Sequence, residues 1–216
     1  MLDWVKFLDD NIKKTGTTTV GLIYQAGSGG VVLGSEKKAT MGYLIDSKKA
    51  RKIYSIDNRI GITTAGSVGD VQTIVRYMRA EASIYKFQKG KQLSVRALTT
   101  LLANMLQQNK HFPFLGQFIV GGYDEKGPQI FSLDPVGGIV ENDKFYSTGS
   151  GSSMAFGVLE DGFKEKLNKE ESIKLVVRAI KAAIKRDIGS GGSIAIAVID
   201  ENGYKELSEE EIKSFE

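Results

Sequence analysis

The chain of 216 residues contains no cysteine and a single histidine, His111. Disulfide bonds, thiol chemistry and a zinc site built from His and Cys ligands are therefore excluded. Any nucleophile that depends on a histidine base has only His111 available, and we assign no chemistry to that residue. If the protein is a hydrolase, its base must be a lysine, a carboxylate or a free terminal amine.

Long hydrophobic runs and tracts of one charge are also missing. The longest apolar stretches, such as residues 194–198, fall far short of the ~20 residues that a membrane-spanning helix needs. The N-terminal segment carries three aspartates and does not resemble a secretory signal. The 29 basic residues are interspersed with 26 acidic ones, which indicates no nucleic-acid partner. We therefore expect a cytoplasmic protein that binds neither membranes nor nucleic acid.

The hydrophobic pattern predicts strands, two helices, strands, two helices and further strands, which favours an α+β layered fold with mostly antiparallel sheets in one domain. Residues 1–16 differ from the rest, and their amphipathic pattern predicts a small helix or a leader. Strands are predicted at 17–35 (a hairpin), 52–56, 59–66, 117–123, 128–134, 137–141, 144–149 and 193–200, and helices from 71 to about 90, from 94, at 151–166, at 169–187 and after Ser208.

A threonine directly follows a glycine where the leader meets the first predicted strand, at Gly16-Thr17. One interpretation is simply a strand start, because the branched side chain of threonine favours strands. The other is that the bond between Gly16 and Thr17 is cut, so that the new α-amine acts as base for the hydroxyl of the same residue. An α-amine titrates near ~7.7 to 8.0, close to working pH. Glycine leaves the backbone free to bend its carbonyl towards the threonine oxygen.

Two charged residues near the ends of predicted strands are candidates to support Thr17. Lys52 ends the basic run 48–52 and Glu36 lies in another charged stretch, and each taken alone is typical of a solvated surface. A sheet could nevertheless bring them together, and a lysine ammonium beside Thr17 would lower the cost of ionising its hydroxyl. The pair therefore matters only if Thr17 lies nearby.

Three glycine-containing segments each allow two interpretations. Residues 148–153 precede a helix as a phosphate-binding loop does, but Met154 replaces the third glycine of GxGxxG and no GK[ST] follows. Residues 187–192 are typical of a glycine stop after a helix. Gly66 ends a predicted strand, although its N–H could donate to an oxyanion. A nucleotide-binding loop is thus an alternative that the sequence disfavours.

As a set, these segments resemble the β-subunit family of the 20S proteasome, archaeal in type. The stretches GTTTVGL, EKKATMG, KKARKIYSID, GITTAGSVGD and RDIGSGG occur in the family's order from Gly16 to the last strand. The resemblance implies a four-layer αββα sandwich of the N-terminal nucleophile hydrolase class. It also implies that residues 1–16 are a propeptide removed by self-cleavage and that 17–216 form the catalytic domain. The hairpin connection at 26–30 departs from the family by its greater length.

For single residues, the resemblance implies a threonine endopeptidase centred on Thr17. Lys52 would tune the hydroxyl and amine of Thr17 electrostatically, and Glu36 would pair with Lys52. The Gly66 amide would stabilise the oxyanion. Thr17 would attack the peptide carbonyl, its amine would pass the proton to the leaving group, and water would release the ester, with no metal or organic cofactor.

The resemblance also implies how the new amine is held and where the substrate lies. Asp187 and Ser190 would hold the amine, with Ser150 beside them. The pocket for the residue before the cut would be lined by uncharged side chains, which favours apolar residues. These pocket residues are Ala39, Ala50, Tyr54, Thr64 and Val68.

The implied partners are proteasome α-subunits and other β-subunits in stacked seven-membered rings (α7β7β7α7), an ATP-dependent unfoldase ring and unfolded protein substrates. A shorter bacterial relative also begins with a threonine run, but it lacks the RDIGSGG segment. The alternative function is a structural ring subunit that stays unprocessed, because a chain can keep a fold and lose its activity.

Overall fold

A computed structural model of the chain describes residues 16–41 and 44–215. The prediction of a leader or helix at 1–16 falls almost wholly outside the described residues. The strands are β1 (Thr19–Tyr24), β2 (Gly30–Glu36), β3 (Ala39–Met41), β4 (Leu44–Ser47), β5 (Ile53–Ser55), β6 (Ile60–Gly66), β7 (Gly116–Asp124), β8 (Gly127–Leu133), β9 (Ile139–Asn142), β10 (Phe145–Thr148), β11 (Ile194–Asp200) and β12 (Gly203–Glu206). The helices are α1 (Val68–Lys89), α2 (Val95–Gln108), α3 (Ser152–Gly162), α4 (Lys169–Ile184) and α5 (Glu209–Lys213).

Two five-stranded antiparallel sheets lie face to face between two pairs of helices. The first sheet has the order β10-β1-β2-β11-β12 and the second β5-β6-β7-β8-β9. Helices α3 and α4 cover the outer face of the first sheet through one apolar cluster, and α1 and α2 cover the second through another. A third cluster, which includes Leu33, Ile119 and Ala197, fills the space between the sheets. The prediction of a four-layer αββα sandwich is confirmed.

Local sequence signals set the ends of the helices. Gly90 ends α1 in the left-handed conformation, with φ of 67°. The Ser94 side chain accepts the N–H of Ala97 at the start of α2. Asn168 and Glu171 form a capping box at the start of α4. These signals agree with the boundaries expected from hydrophobic spacing.

The structure differs from the sequence prediction in several elements. Strand β12 was not predicted, and helix α4 ends at Ile184 instead of continuing to 187. Strands β3 and β4 form a separate two-stranded sheet that the sequence analysis missed. Helix α3 ends at Gly162 instead of continuing to 166, because Phe163 turns out of the helix with extended backbone and packs edge-on against Phe145 at 5.3 Å between ring centroids. Two residues predicted for the site are affected, since Ala39 lies in β3 and Asp187 lies beyond the end of α4.

Candidate active site

A buried ion pair between Lys52 and Glu36 lies at the centre of the site. Lys52 precedes β5 in the second sheet and Glu36 ends β2 in the first sheet, so the pair joins the two sheets. The Glu36 side chain has no exposure to solvent. Its two oxygens also accept backbone N–H groups from Thr18 (3.3 Å), Lys38 (2.6 Å) and Gly191 (3.1 Å). Both oxygens of the buried carboxylate therefore have hydrogen-bond donors.

The Lys52 ammonium has an acceptor for each of its three N–H groups. Besides Glu36, its Nζ donates to the Lys38 carbonyl at 2.7 Å and to the Thr17 hydroxyl oxygen at 3.0 Å. An ammonium offers three donors, so the arrangement fits the charged form. Burial lowers the pKa of Lys52, and the Glu36 carboxylate opposes this effect without cancelling it. The lysine therefore presents positive charge to Thr17 but can lose its proton more readily than an exposed lysine.

The Thr17 hydroxyl lies between Lys52 and the peptide bond that precedes it. It donates to the Gly16 carbonyl oxygen at 2.7 Å while its oxygen accepts from Lys52. Thr17 is 4% exposed, so the hydroxyl is largely shielded from bulk water. A nucleophilic oxygen, a cation and a peptide carbonyl thus occupy one small volume.

A hydrogen-bonded chain leads away from the backbone nitrogen of Thr17. Its N–H donates to the Ser150 hydroxyl oxygen at 3.1 Å, and the Ser150 hydroxyl donates to Asp187 at 2.6 Å. Ser190 donates to the same Asp187 oxygen at 2.6 Å, so the Thr18 hydroxyl must be the donor in its 2.7 Å contact with Ser190. Asp187 is therefore linked to the Thr17 nitrogen through one hydroxyl.

Two glycines let the loop after β10 approach Thr17. A Cβ at Gly149 would lie 2.1 Å from the Thr17 carbonyl oxygen, and its φ of 90° also disfavours any other residue. A Cβ at Gly151 would lie 2.0 Å from the Thr18 hydroxyl oxygen. The Gly151 N–H donates to the Thr17 carbonyl oxygen at 3.3 Å. This loop, once a candidate phosphate cradle, therefore packs on Thr17.

A cavity of about 410 Å³ opens beside Thr17. All five residues expected in the substrate pocket line it, as do Gly16, Lys52 and Gly66. Gly66 ends β6 with φ of 145° and pairs with Gly116 of β7. The sequence analysis did not include the further lining residues, which are Thr40, Asp46, Ser47, Arg51, Val71 and Gln72.

The structure brings the sequence candidates together around Thr17. Contacts join Thr17 to Lys52 and Ser150 directly, and the remaining candidates follow through these two residues or line the cavity. Sequence analysis missed Thr18, Lys38 and Thr40, although all three make hydrogen bonds in the site. Thr18 could have been suspected as the middle residue of the threonine run, whereas no sequence signal separates Lys38 from its neighbour.

Other kinds of site find no support in the part of the chain that the structure describes. Within 16–41 and 44–215, no group of three or more His, Asp or Glu side chains could hold a metal ion. Among the same residues, no helix has the length and apolar character to cross a membrane. His111 lies exposed in the loop after α2, away from the cavity lining.

Comparison with known proteins gives one consistent family. The family model described as "Proteasome subunit" matches residues 13–199. Similar proteins include the proteasome subunit beta of Methanospirillum hungatei, 53% identical over 197 residues that cover 91% of this chain and 93% of the relative. The proteasome subunit beta of Methanocaldococcus vulcanius is 52% identical over 198 residues, covering 91% of this chain and 87% of the relative. That of Methanoregula boonei is 48% identical and covers 92% of both chains.

Proposed function

Because the chain belongs to the proteasome subunit family, as a β-subunit of the archaeal type, we propose that it is a threonine endopeptidase. In this proposal Thr17 becomes the N-terminal residue when the chain removes residues 1–16 itself. The mature subunit then cleaves unfolded polypeptides.

One observation carries the proposal: the hydroxyl oxygen and the backbone nitrogen of Thr17 are bound by two different groups, Lys52 and Ser150. Its hydroxyl oxygen accepts from the Lys52 ammonium at 3.0 Å, which favours a developing negative charge on that oxygen. Its backbone nitrogen lies 3.1 Å from Ser150, which is bonded to Asp187. A strand start with no chemical role needs neither a buried lysine nor a buried carboxylate network.

Leader removal begins with attack of the Thr17 oxygen on the Gly16 carbonyl carbon. The new bond to oxygen forms as the bond from that carbon to the Thr17 nitrogen breaks, and the proton lost by the hydroxyl is transferred to the nitrogen. The product is an ester between Gly16 and the Thr17 hydroxyl, with a free amine. Water then hydrolyses the ester and releases the leader. The 2.7 Å hydrogen bond from the hydroxyl to the Gly16 carbonyl oxygen holds the two groups together before attack.

Peptide cleavage by the mature subunit uses the freed amine as the base. The amine takes the hydroxyl proton as Thr17 attacks the substrate carbonyl, and it then protonates the leaving amine. We assign the Gly66 N–H to stabilise the oxyanion, since Gly66 lines the same cavity as Thr17. The residue before the cut enters between Ala39, Ala50 and Val68, which favours apolar side chains.

The proposal includes assembly, because the family implies other proteasome subunits as partners. We place the chain in the two inner rings of an α7β7β7α7 particle in the cytoplasm. An ATP-dependent ring would unfold substrates and deliver them to the particle. The assembled rings would enclose the substrate, whereas the 410 Å³ cavity of a single subunit is open to solvent.

The decisive experiment is Thr17→Ala in the full chain, coexpressed with its α-subunits. We expect the intact mass of the assembled β-subunit to retain residues 1–16, and hydrolysis of a fluorogenic peptide to fall to background. The matched control is Thr100→Ala, which removes an exposed hydroxyl that bonds within its own helix. Wild-type hydrolysis by Thr17→Ala would refute the assignment. A wild-type subunit that keeps its leader in the assembled particle would favour the structural alternative.

A further inference from the structure

Gly189 lies in the turn after α4, with its backbone directly against Gly16. A Cβ placed on Gly189 would lie 2.2 Å from the Gly16 Cα, and a Cβ placed on Gly16 would lie 2.0 Å from the Gly189 Cα. Both separations are far below van der Waals contact. The obstructing atoms belong to backbone, so no side-chain rotation can relieve the overlap.

Space, and not backbone conformation, requires glycine at position 189. Gly189 is not among the described glycines with positive φ, which include Gly149 and Gly192. An alanine could therefore adopt the backbone conformation of Gly189. What excludes a methyl group at 189 is the presence of Gly16.

Hydrogen bonds hold both glycines in place. The Gly189 N–H donates to Asp187 Oδ1 at 3.1 Å, and Lys38 Nζ donates to the Ile188 carbonyl at 2.7 Å. On the other side, the Gly16 N–H donates to the Thr40 hydroxyl oxygen at 3.3 Å. Gly16 is thus seated between the 187–189 turn and β3.

We propose that Gly189 is a positioning residue for leader removal. Because residue 189 has no Cβ, Gly16 can pack directly against its backbone. In that position the Gly16 carbonyl oxygen lies 2.7 Å from the Thr17 hydroxyl oxygen. This inference rests on the proposed self-cleavage at Thr17. A methyl group at 189 would lie 2.2 Å from the Gly16 Cα, so Gly16 must move away from it, and a displacement of ~1 Å can slow a positioned reaction by ~10²-fold.

The requirement ends when the leader departs. Gly16 leaves with the leader, and the space that a methyl group at 189 needs then becomes free. Gly189 is not among the residues that line the cavity beside Thr17, whereas Gly16 is. The substrate residue before the cut is proposed to enter among Ala39, Ala50 and Val68, which line this cavity, so its side-chain pocket does not include residue 189. Gly189 acts on the self-cleavage step and not on later peptide hydrolysis.

The test measures the two steps separately on the full chain coexpressed with its α-subunits. Intact mass over time gives the rate of leader removal. An epoxyketone that reacts with an N-terminal threonine counts the freed sites, and peptide turnover is divided by that count. The variants are Gly189→Ala and Gly16→Ala, and the control is Gly157→Ala, whose added Cβ meets nothing within 4 Å outside the adjoining backbone of its own helix.

For Gly189→Ala we expect leader removal about 10²-fold slower, with turnover per freed site within a few-fold of wild type. Gly16→Ala should slow leader removal similarly and then yield a mature subunit identical to wild type, which excludes a general folding defect. Gly157→Ala should change neither quantity. Failure of the wild type to free Thr17 would instead refute the proposed function itself.

Two results overturn the inference. One is leader removal at the wild-type rate in Gly189→Ala or in Gly16→Ala. The other is an equal loss of leader removal and of turnover per freed site in Gly189→Ala, which would show a general structural role. If Gly189→Ala does not assemble, the Gly16→Ala result decides, because its methyl group creates the same overlap from the leader side.

Discussion

At the scale of the residue, the Glu36 carboxylate keeps a proton on Lys52. Burial lowers the pKa of Lys52 and the charge of Glu36 partly restores it. Glu36→Gln removes that charge with little change of shape, so the pKa of Lys52 falls further. As pH rises, the ammonium is then lost at a lower pH than in wild type. We expect the alkaline limb of kcat/KM for peptide hydrolysis to shift to lower pH, and turnover at neutral pH to fall.

A matched control for this prediction is Glu141→Gln, which disrupts the exposed ion pair between Glu141 and Arg96. Exposed pairs contribute little, so the profile of this variant should follow wild type. An unchanged alkaline limb in Glu36→Gln would show that Lys52 does not need Glu36 to keep its charge. Epoxyketone titration of both variants separates slow turnover from incomplete leader removal.

Some residues of the site could be predicted from the sequence, and others could not. Thr17 could be proposed from Gly16-Thr17 and from the chemistry of an α-amine. The roles of Lys52 and Glu36 needed the family resemblance, because their local sequences are typical of surface residues. Lys38 was missed because its backbone carbonyl, not its side chain, accepts from Lys52. Every residue type has a backbone carbonyl, so contacts of this kind cannot be predicted from the identity of the residue.

At the scale of the element, Asp200 at the end of β11 connects three elements. Its carboxylate accepts from Lys169 at the start of α4 at 2.6 Å and from the Tyr24 hydroxyl of β1 at 3.4 Å. Burial has the largest single effect on the pKa of Asp200 and would raise it, but the hydrogen bonds from Lys169 and Asn202 and the charge of Lys169 together lower the pKa below its ordinary 3.8. Burial and the Asp200 charge together raise the pKa of Tyr24, so its hydroxyl stays a neutral donor.

Asp200→Asn should therefore destabilise the protein in a pH-dependent way. A carboxyl with a lowered folded-state pKa contributes stability that is complete above its ordinary pKa and is lost as pH falls through the lowered value. The difference in unfolding free energy between wild type and Asp200→Asn should thus be largest near neutral pH and shrink as pH falls below 3.8, the ordinary pKa of the carboxyl. Chemical unfolding at several pH values measures it. Asp143→Asn, at an exposed position, is the control, and a constant difference across pH would contradict the assignment.

Elements with a repeating apolar face were predictable, and those without one were not. Val71, Ile74, Val75 and Met78 recur at helical spacing and are buried in α1. The β3 and β4 pair was missed because Leu44 and Ile45 of β4 are both exposed, at 67% and 52%, so no alternation marks the strand. The end of α3 depends on the contact between Phe163 and Phe145, which is distant in sequence. Tertiary contacts of this kind override local pattern.

At the scale of the whole molecule, the candidate site exists only because two sheets pack face to face. In the first sheet, Thr17 lies just before β1 and Glu36 ends β2. In the second sheet, Lys52 directly precedes β5 and Gly66 ends β6. The distance from Thr17 to Lys52 therefore depends on the separation of the sheets. No single element of the chain contains both the nucleophile and its cation.

A hydroxyl contact deep between the sheets helps to set that separation. The Thr19 hydroxyl of β1 contacts the Thr63 hydroxyl of β6 at 2.9 Å and the Thr148 hydroxyl of β10 at 2.7 Å. All three side chains are buried. Thr19 and Thr148 lie in the same sheet, so the contact with Thr63 is the one that crosses between sheets.

Thr63→Val should weaken catalysis more than it weakens the fold. Valine keeps the shape of threonine but removes the cross-sheet hydrogen bond, whose net contribution to stability is about 1 kcal/mol, while Thr19 keeps Thr148 as a partner. We expect a small fall in unfolding free energy and a several-fold fall in peptide turnover per freed Thr17. The control is Thr99→Val, since that buried hydroxyl bonds only within α2, to the Val95 carbonyl. Equal turnover in the two variants would show that other contacts between the sheets fix the distance from Thr17 to Lys52.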